Sequence, residues 1–179
     1  NKSSYPSKNQ IINEAFRFHS RGNIEEAAKY YQYFINQGYK DHRVYSNFGV
    51  ILKDLGKLNE AEVLQRNAIK RNPQFAEAHY NLGNILWDIG KTLDAEISYK
   101  KAIEINPNYA KAYSNFGSLL RDLGKLTEAE NLYLKAIKLN PVLPKPYEMI
   151  GLILMEKGKY DLSLKYFSKS VELLRGDKV

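Results

Sequence analysis

Glycine recurs in this chain at intervals of 34 residues. Gly49, Gly83, Gly117 and Gly151 form one series, and Gly22, Gly56, Gly90, Gly124 and Gly158 form another. Nine of the eleven glycines fall in these two rows. Pro73, Pro107 and Pro141 keep the same interval, as do Ala27, Ala61, Ala95 and Ala129, whose row Ser163 continues. A fixed period of this length implies stacked copies of one supersecondary unit, none of which could bury its apolar face alone. Counted from seven residues before the first glycine row, five units at 8–41, 42–75, 76–109, 110–143 and 144–177 fill nearly all of the 179 residues as one array with no linker.

Each unit reads as two helices. In the third, AEAHYNLGNILWDIG (76–90) carries Ala78, Leu82, Ile85, Leu86 and Ile89 at helical spacing and stops at Gly90. Thr92–Ile105 follows in the same period, with Asp94 and Glu96 in the first turn, and ends before Asn106-Pro107. No segment alternates with period two between turn signals, so an all-α fold of ten helices is expected.

The repeating positions form a packing code. Small residues at the eighth and twentieth positions let the two helices of a unit, A and B, approach closely. Large ones fill the remaining space: Tyr45, His79, Tyr113 and Tyr147 at the fourth position, and Tyr31, Tyr99, Tyr133 and Phe167 at the twenty-fourth. A 34-residue helix-turn-helix unit with these slots resembles the tetratricopeptide repeat (TPR) across essentially the whole chain. The resemblance implies a right-handed α-solenoid whose A helices line a concave groove that receives a peptide. Local departures are Glu14-Ala15 in the first unit, Gln65 in the second unit's aromatic slot, and Ser163 and Ser170 in the fifth.

Several chemistries lack their residues. There is no cysteine, and the only histidines are His19, His42 and His79, no two of them at i, i+4 on one helix face, so no metal site and no cofactor are expected and packing roles suit them. No catalytic residue is identified, since nothing brings a nucleophile, base and orienting group together. The longest apolar run, Met149 to Met155, is too short to span a bilayer. Asn1-Lys2-Ser3-Ser4-Tyr5-Pro6 lacks an initiator Met and a signal-peptide core, and reads as a cut end of a larger protein; a cytoplasmic location is expected. Gly90-Lys91-Thr92 imitates the end of a phosphate loop, but Ile85 stands where that motif needs glycine and a helix precedes it. The net charge of +7 comes mostly from lysines and arginines late in the B helices, where they complement the helix dipole, so nucleic acid is disfavoured as a partner.

Asparagine occupies the sixth position in four units, at Asn13, Asn47, Asn81 and Asn115, and Met149 breaks the row. This position is turned by about 200° from the fourth and eighth slots and so faces away from the paired B helix. An amide there donates and accepts, and pairs with a peptide backbone without reading side chains. Asn84 is a further candidate contact on the third A helix. Asp54, Asp88 and Asp122, with Glu156, form a thirteenth-position row; each has a lysine three residues on, so intrahelical pairing competes with selection of a basic or hydroxyl side chain. Trp87, the sole tryptophan, serves either as a ligand platform or as inter-unit packing.

The asparagine row, with phrases such as KAYSNFGSLLRDLGKLTEAE, is similar to the TPR superhelix of O-GlcNAc transferases and related bacterial TPR-bearing transferases, in which such asparagines hold a peptide backbone. A carboxylate-clamp TPR is disfavoured because Ile12, Ser46, Tyr80, Ser114 and Glu148 replace the basic fifth-position residue. The leading expectation is a scaffold that binds an extended peptide or protein partner in the groove. Alternatives are the substrate-docking region of a glycosyl- or other group-transferase whose catalytic domain is absent, and a nucleic-acid-binding or self-assembling solenoid. Leu162, Leu164, Tyr166, Phe167, Val171, Leu173 and Leu174 predict exposed apolar area on the last helix and self-association through it.

Overall fold

The helices begin at the period of the glycines. A computed structural model of the chain describes residues 6–176; residues 1–5, on which the reading of a cut end rests, lie outside them. The A helices are α1 (Lys8–Ser20), α3 (His42–Asp54), α5 (Ala76–Asp88), α7 (Ala110–Asp122) and α9 (Pro144–Glu156). The B helices are α2 (Ile24–Asn36), α4 (Leu58–Arg71), α6 (Thr92–Ile105), α8 (Leu126–Leu139) and α10 (Tyr160–Arg175). There is no strand among the described residues.

The chain divides into two compact units, Asn1–Ile89 and Gly90–Val179. In the first, α1 packs on α2, α3 on α4, and α5 against α4 and α3. Its main core joins Ile11, Ala15, Ala27, Tyr31, Phe34, Val44, Ile51 and Ile85. Ser7 opens α1 with a reciprocal cap: its hydroxyl accepts from the Gln10 amide and the Gln10 side chain accepts from the Ser7 N–H. Asp41 caps α3 by accepting from the Arg43 N–H at 2.9 Å. In the second unit α6 packs on α7, α7 on α8, α8 on α9 and α9 on α10. There Tyr99 and Phe116 stack with ring centroids 6.1 Å apart, and Tyr133, Leu119 and Ile153 are fully buried.

Steric demand at the eighth position comes from the twenty-fourth. A Cβ on Gly117 would lie 2.9 Å from Tyr133 Cε1, and one on Gly151 would lie 2.9 Å from Phe167 Cε1. The second glycine row closes each A helix in the left-handed region, with φ of +76° at Gly56 and +85° at Gly90, where a side chain is strained. Gly90-Lys91-Thr92 is therefore an interhelical turn that follows a helix.

Two departures from the repeat make buried hydrogen bonds. Gln65, in the aromatic slot and fully buried, donates from Nε2 to the Ser46 carbonyl at 2.9 Å. Ser163 stands in an alanine slot and donates to the Gly151 carbonyl at 2.7 Å. The fourth-position residues correct a sequence expectation. His79 is only half-buried, with Nε2 3.0 Å from the Pro73 carbonyl, and Tyr147 donates to the Pro141 carbonyl at 3.0 Å. These rings tie the A helix to the turn before it as much as they fill core.

Candidate functional site

The A helices of the first unit bring together the predicted asparagines, but with more internal bonding than helical phase alone implies. Asn13 is exposed on α1 and Asn47 is half-buried on α3. Asn47 Nδ2 donates to the Tyr31 hydroxyl at 3.3 Å, which ties the sixth position of one repeat to the twenty-fourth of the repeat before it. Asn81, expected to face a ligand, is 8% exposed, and its Nδ2 donates to Ser46 Oγ at 3.3 Å. The reason is that α5 packs on α3 and closes over this position. Asn84 is half-buried and hydrogen-bonds with Tyr80 on the same helix.

In the second unit, Asn115 Oδ1 accepts from Lys145 Nζ at 3.2 Å. Arg121 Nη1 reaches the sulfur of Met149, the residue that breaks the asparagine row, at 3.1 Å. Partial desolvation, and then the nearby Arg121, hold the Lys145 ammonium below the usual lysine range.

The thirteenth-position carboxylates are exposed, and cations at the twelfth position are their partners. Lys53 lies 3.9 Å from Asp54 and 3.4 Å from Asp88, and Arg121 lies 3.3 Å from Asp122. Of the expected i, i+3 lysines, Lys57 meets Glu60 and Lys125 meets Glu96 instead. Trp87 is half-buried on α5. The B-helix cations find carboxylates along their own helices: Arg66 with Glu62 at 2.8 Å, Lys100 with Glu96 at 2.6 Å and Lys101 with Glu104 at 2.7 Å. Arg71 instead lies over the Tyr45 ring, 4.1 Å from its centroid.

One cavity of about 240 Å³ adjoins the asparagine row, lined by Phe16, His19, Ser20, Tyr31 and Asn47. His19 Nδ1 lies 3.0 Å from the Tyr31 hydroxyl. Burial pushes the Tyr31 phenol up to about 12, and burial lowers the His19 imidazole below its ordinary value against the opposing pull of Asp54. At neutral pH the cavity therefore contains a neutral imidazole and a protonated phenol. His19 and Ser20 occupy the twelfth and thirteenth positions, the rows of Trp87 and Asp88. That register was the signal that could have marked them in the sequence.

Among the described residues no cluster of three or more potential ligands could hold a metal ion, and no helix is long and apolar enough to cross a membrane.

Comparison with known proteins is consistent with this geometry. Tetratricopeptide-repeat models match residues 76–109, 98–131 and 144–173, and a TPR-repeat model matches 49–90 and 117–158. No curated protein sequence matches the chain. Among solved structures, the crystal structure of MamA is similar at 26% identity and a TM-score of 0.75, over 90% of this chain and 95% of that one. PilF of Pseudomonas aeruginosa shares the fold at 17% identity and a TM-score of 0.81, over 92% and 75%. So does the thermophilic TPR protein TTC0263 of Thermus thermophilus, at 18% identity and 0.79, over 96% and 93%. The glycine, alanine and aromatic rows, the ten helices they produce and the models matched along residues 49–173 have one common basis: the chain belongs to the tetratricopeptide-repeat family.

Proposed function

We propose that this chain is a non-catalytic scaffold that binds extended protein segments on its A helices, with Asn13 and Asn47 in the first unit, and Asn115 in the second, as backbone contacts. The observation that carries this reading is the state of Asn47. Its amide is anchored by one bond to a fully buried tyrosine hydroxyl and borders an open cavity. An anchored amide has lost its rotamer freedom before a ligand arrives, so a bond to a peptide costs less ordering than one from a mobile side chain. Asp54 on α3 and Asp88 on α5 in the first unit, and Asp122 on α7 in the second, carry partner selectivity only to the extent that a ligand displaces Lys53 and Arg121. Asn81 and Asn84 support the face through Ser46 and Tyr80.

Selection of binders from an extended-peptide display library, followed by amide-exchange mapping on the full chain, tests the proposal. Protection should concentrate on α1, α3, α5, α7 and α9. Asn47→Ala should weaken a selected peptide by about 0.5–1.5 kcal/mol, the net value of one hydrogen bond. Protection confined to the B helices would sink the reading.

A further inference from the structure

We propose that the cavity beside Asn47 is a side-chain pocket for a carboxamide, the Asn or Gln of a bound segment; this rests on the A-helix binding reading above and goes further by naming what one subsite reads. The argument starts from one proton. Tyr31 is fully buried, so no water takes its hydroxyl hydrogen. Asn47 Nδ2 donates to that oxygen, and the remaining neighbour within hydrogen-bond distance among the described residues is His19 Nδ1. A buried O–H without an acceptor is costly. Tyr31 therefore donates to Nδ1, and His19 carries its own proton on Nε2.

The relay Asn47 to Tyr31 to His19 thus leaves an Nε2–H donor on the imidazole and the Oδ1 acceptor on the asparagine. Both residues line the same 240 Å³ space. A carboxamide offers the complementary pair, a carbonyl for the imidazole N–H and an NH2 for Oδ1. Charged occupants fit worse. Asp54 is close enough to raise the His19 pKa electrostatically and would repel a carboxylate. An ammonium offers only donors and cannot pair with the imidazole N–H. An aliphatic side chain would leave both polar groups desolvated and unpaired.

Imidazole ¹⁵N NMR of the full chain at pH 8, titrated with the capped tripeptides Ala-Gln-Ala, Ala-Glu-Ala, Ala-Lys-Ala and Ala-Leu-Ala, tests this. His19 should show the Nε2–H tautomer, and its signals should saturate with the glutamine peptide at a roughly fivefold lower concentration than with the other three. Tyr31→Phe should remove that preference. Asn47→Asp, which keeps the shape and adds a charge, should move the preference to the lysine peptide. If the glutamine peptide shifts backbone amides of α3 or α5 and leaves His19 untouched, the pocket is wrong while the scaffold reading stands. An Nδ1–H tautomer, equal response to all four peptides, or no response anywhere also overturns the pocket.

Discussion

Asn81 Nδ2 donates to Ser46 Oγ across 3.3 Å, and the two side chains, 35 positions apart, are both buried where α5 closes on α3. The asparagine row is thus partly a set of inter-repeat bonds. Asn81→Ala should destabilise the protein by about 1–3 kcal/mol, because it removes a hydrogen bond and leaves the buried Ser46 hydroxyl short of a partner. Asn13→Ala, at an exposed position, should stay within about 0.5 kcal/mol. Urea unfolding of the two variants provides the comparison, and equal midpoints would show that the Asn81 bond contributes nothing.

The glycine row predicts a graded cost. Gly117→Ala drives a methyl group to 2.9 Å from the edge of a rigid Tyr133 ring whose hydroxyl donates to Ser118. Overpacking of this kind costs about 1–3 kcal/mol, more than the roughly 1 kcal/mol of helix propensity gained. At Gly49 the nearest atom is Gln65 Nε2, the end of a flexible side chain, which can swing away at the loss of its bond to the Ser46 carbonyl. Gly49→Ala, which loses that buried bond but gains about 1 kcal/mol of helix propensity, should be destabilised less than Gly117→Ala in thermal melts; a Gly117→Ala variant as stable as the parent would refute the close approach of the eighth and twenty-fourth slots.

What was legible in the sequence, and what was not, follows from the range of each interaction. The positions of Gly56 and Gly90 and the Ala61 and Ala95 slots follow from steric rules that act within one repeat, so the period exposes them. The fate of Asn81 depends on the next repeat closing over it, and a helical wheel drawn for one helix cannot contain Ser46. The same limit explains Asp88, which Lys53 of the preceding repeat reaches, whereas Asp54 and Asp122 pair with the cations directly before them, Lys53 and Arg121. The His19 cavity was missed because it draws on α1, α2 and α3 together, although the buried Tyr31 hydroxyl, needing a partner, was a visible cue.

Acid should loosen the first unit through His19. Burial lowers its pKa below the ordinary 6.5, so the unfolded chain binds a proton more readily than the folded one. The stability linked to the neutral imidazole is complete above about pH 6.5 and is lost as the pH falls through the lower folded value. Asp54→Asn removes the group that raises this pKa and should shift the His19 titration to still lower pH. An NMR titration in which the His19 midpoint lies above 6.5, or does not move in the Asp54 variant, would contradict this account.

The last helix should drive self-association. Leu164 is 64% exposed and Leu174 70%, and with Val171 at 43% they share one face of α10, while Leu162, also 43% exposed, lies on the other side of the helix. On that other side Leu134, Ile137, Tyr147, Leu162 and Tyr166 line a cleft of about 330 Å³ edged by Lys165 and Lys169. Apolar area of this kind gains roughly 25 cal/mol for each Å² it removes from water, so two copies meeting along α10 would be held mainly by burial. Sedimentation velocity of the full chain should show an average mass that rises with concentration. Leu164→Glu combined with Leu174→Glu should return it to a monomer with unchanged helicity, because neither side chain contributes to the core. A parent chain that stays strictly monomeric at high concentration would mean that the stripe is merely exposed surface.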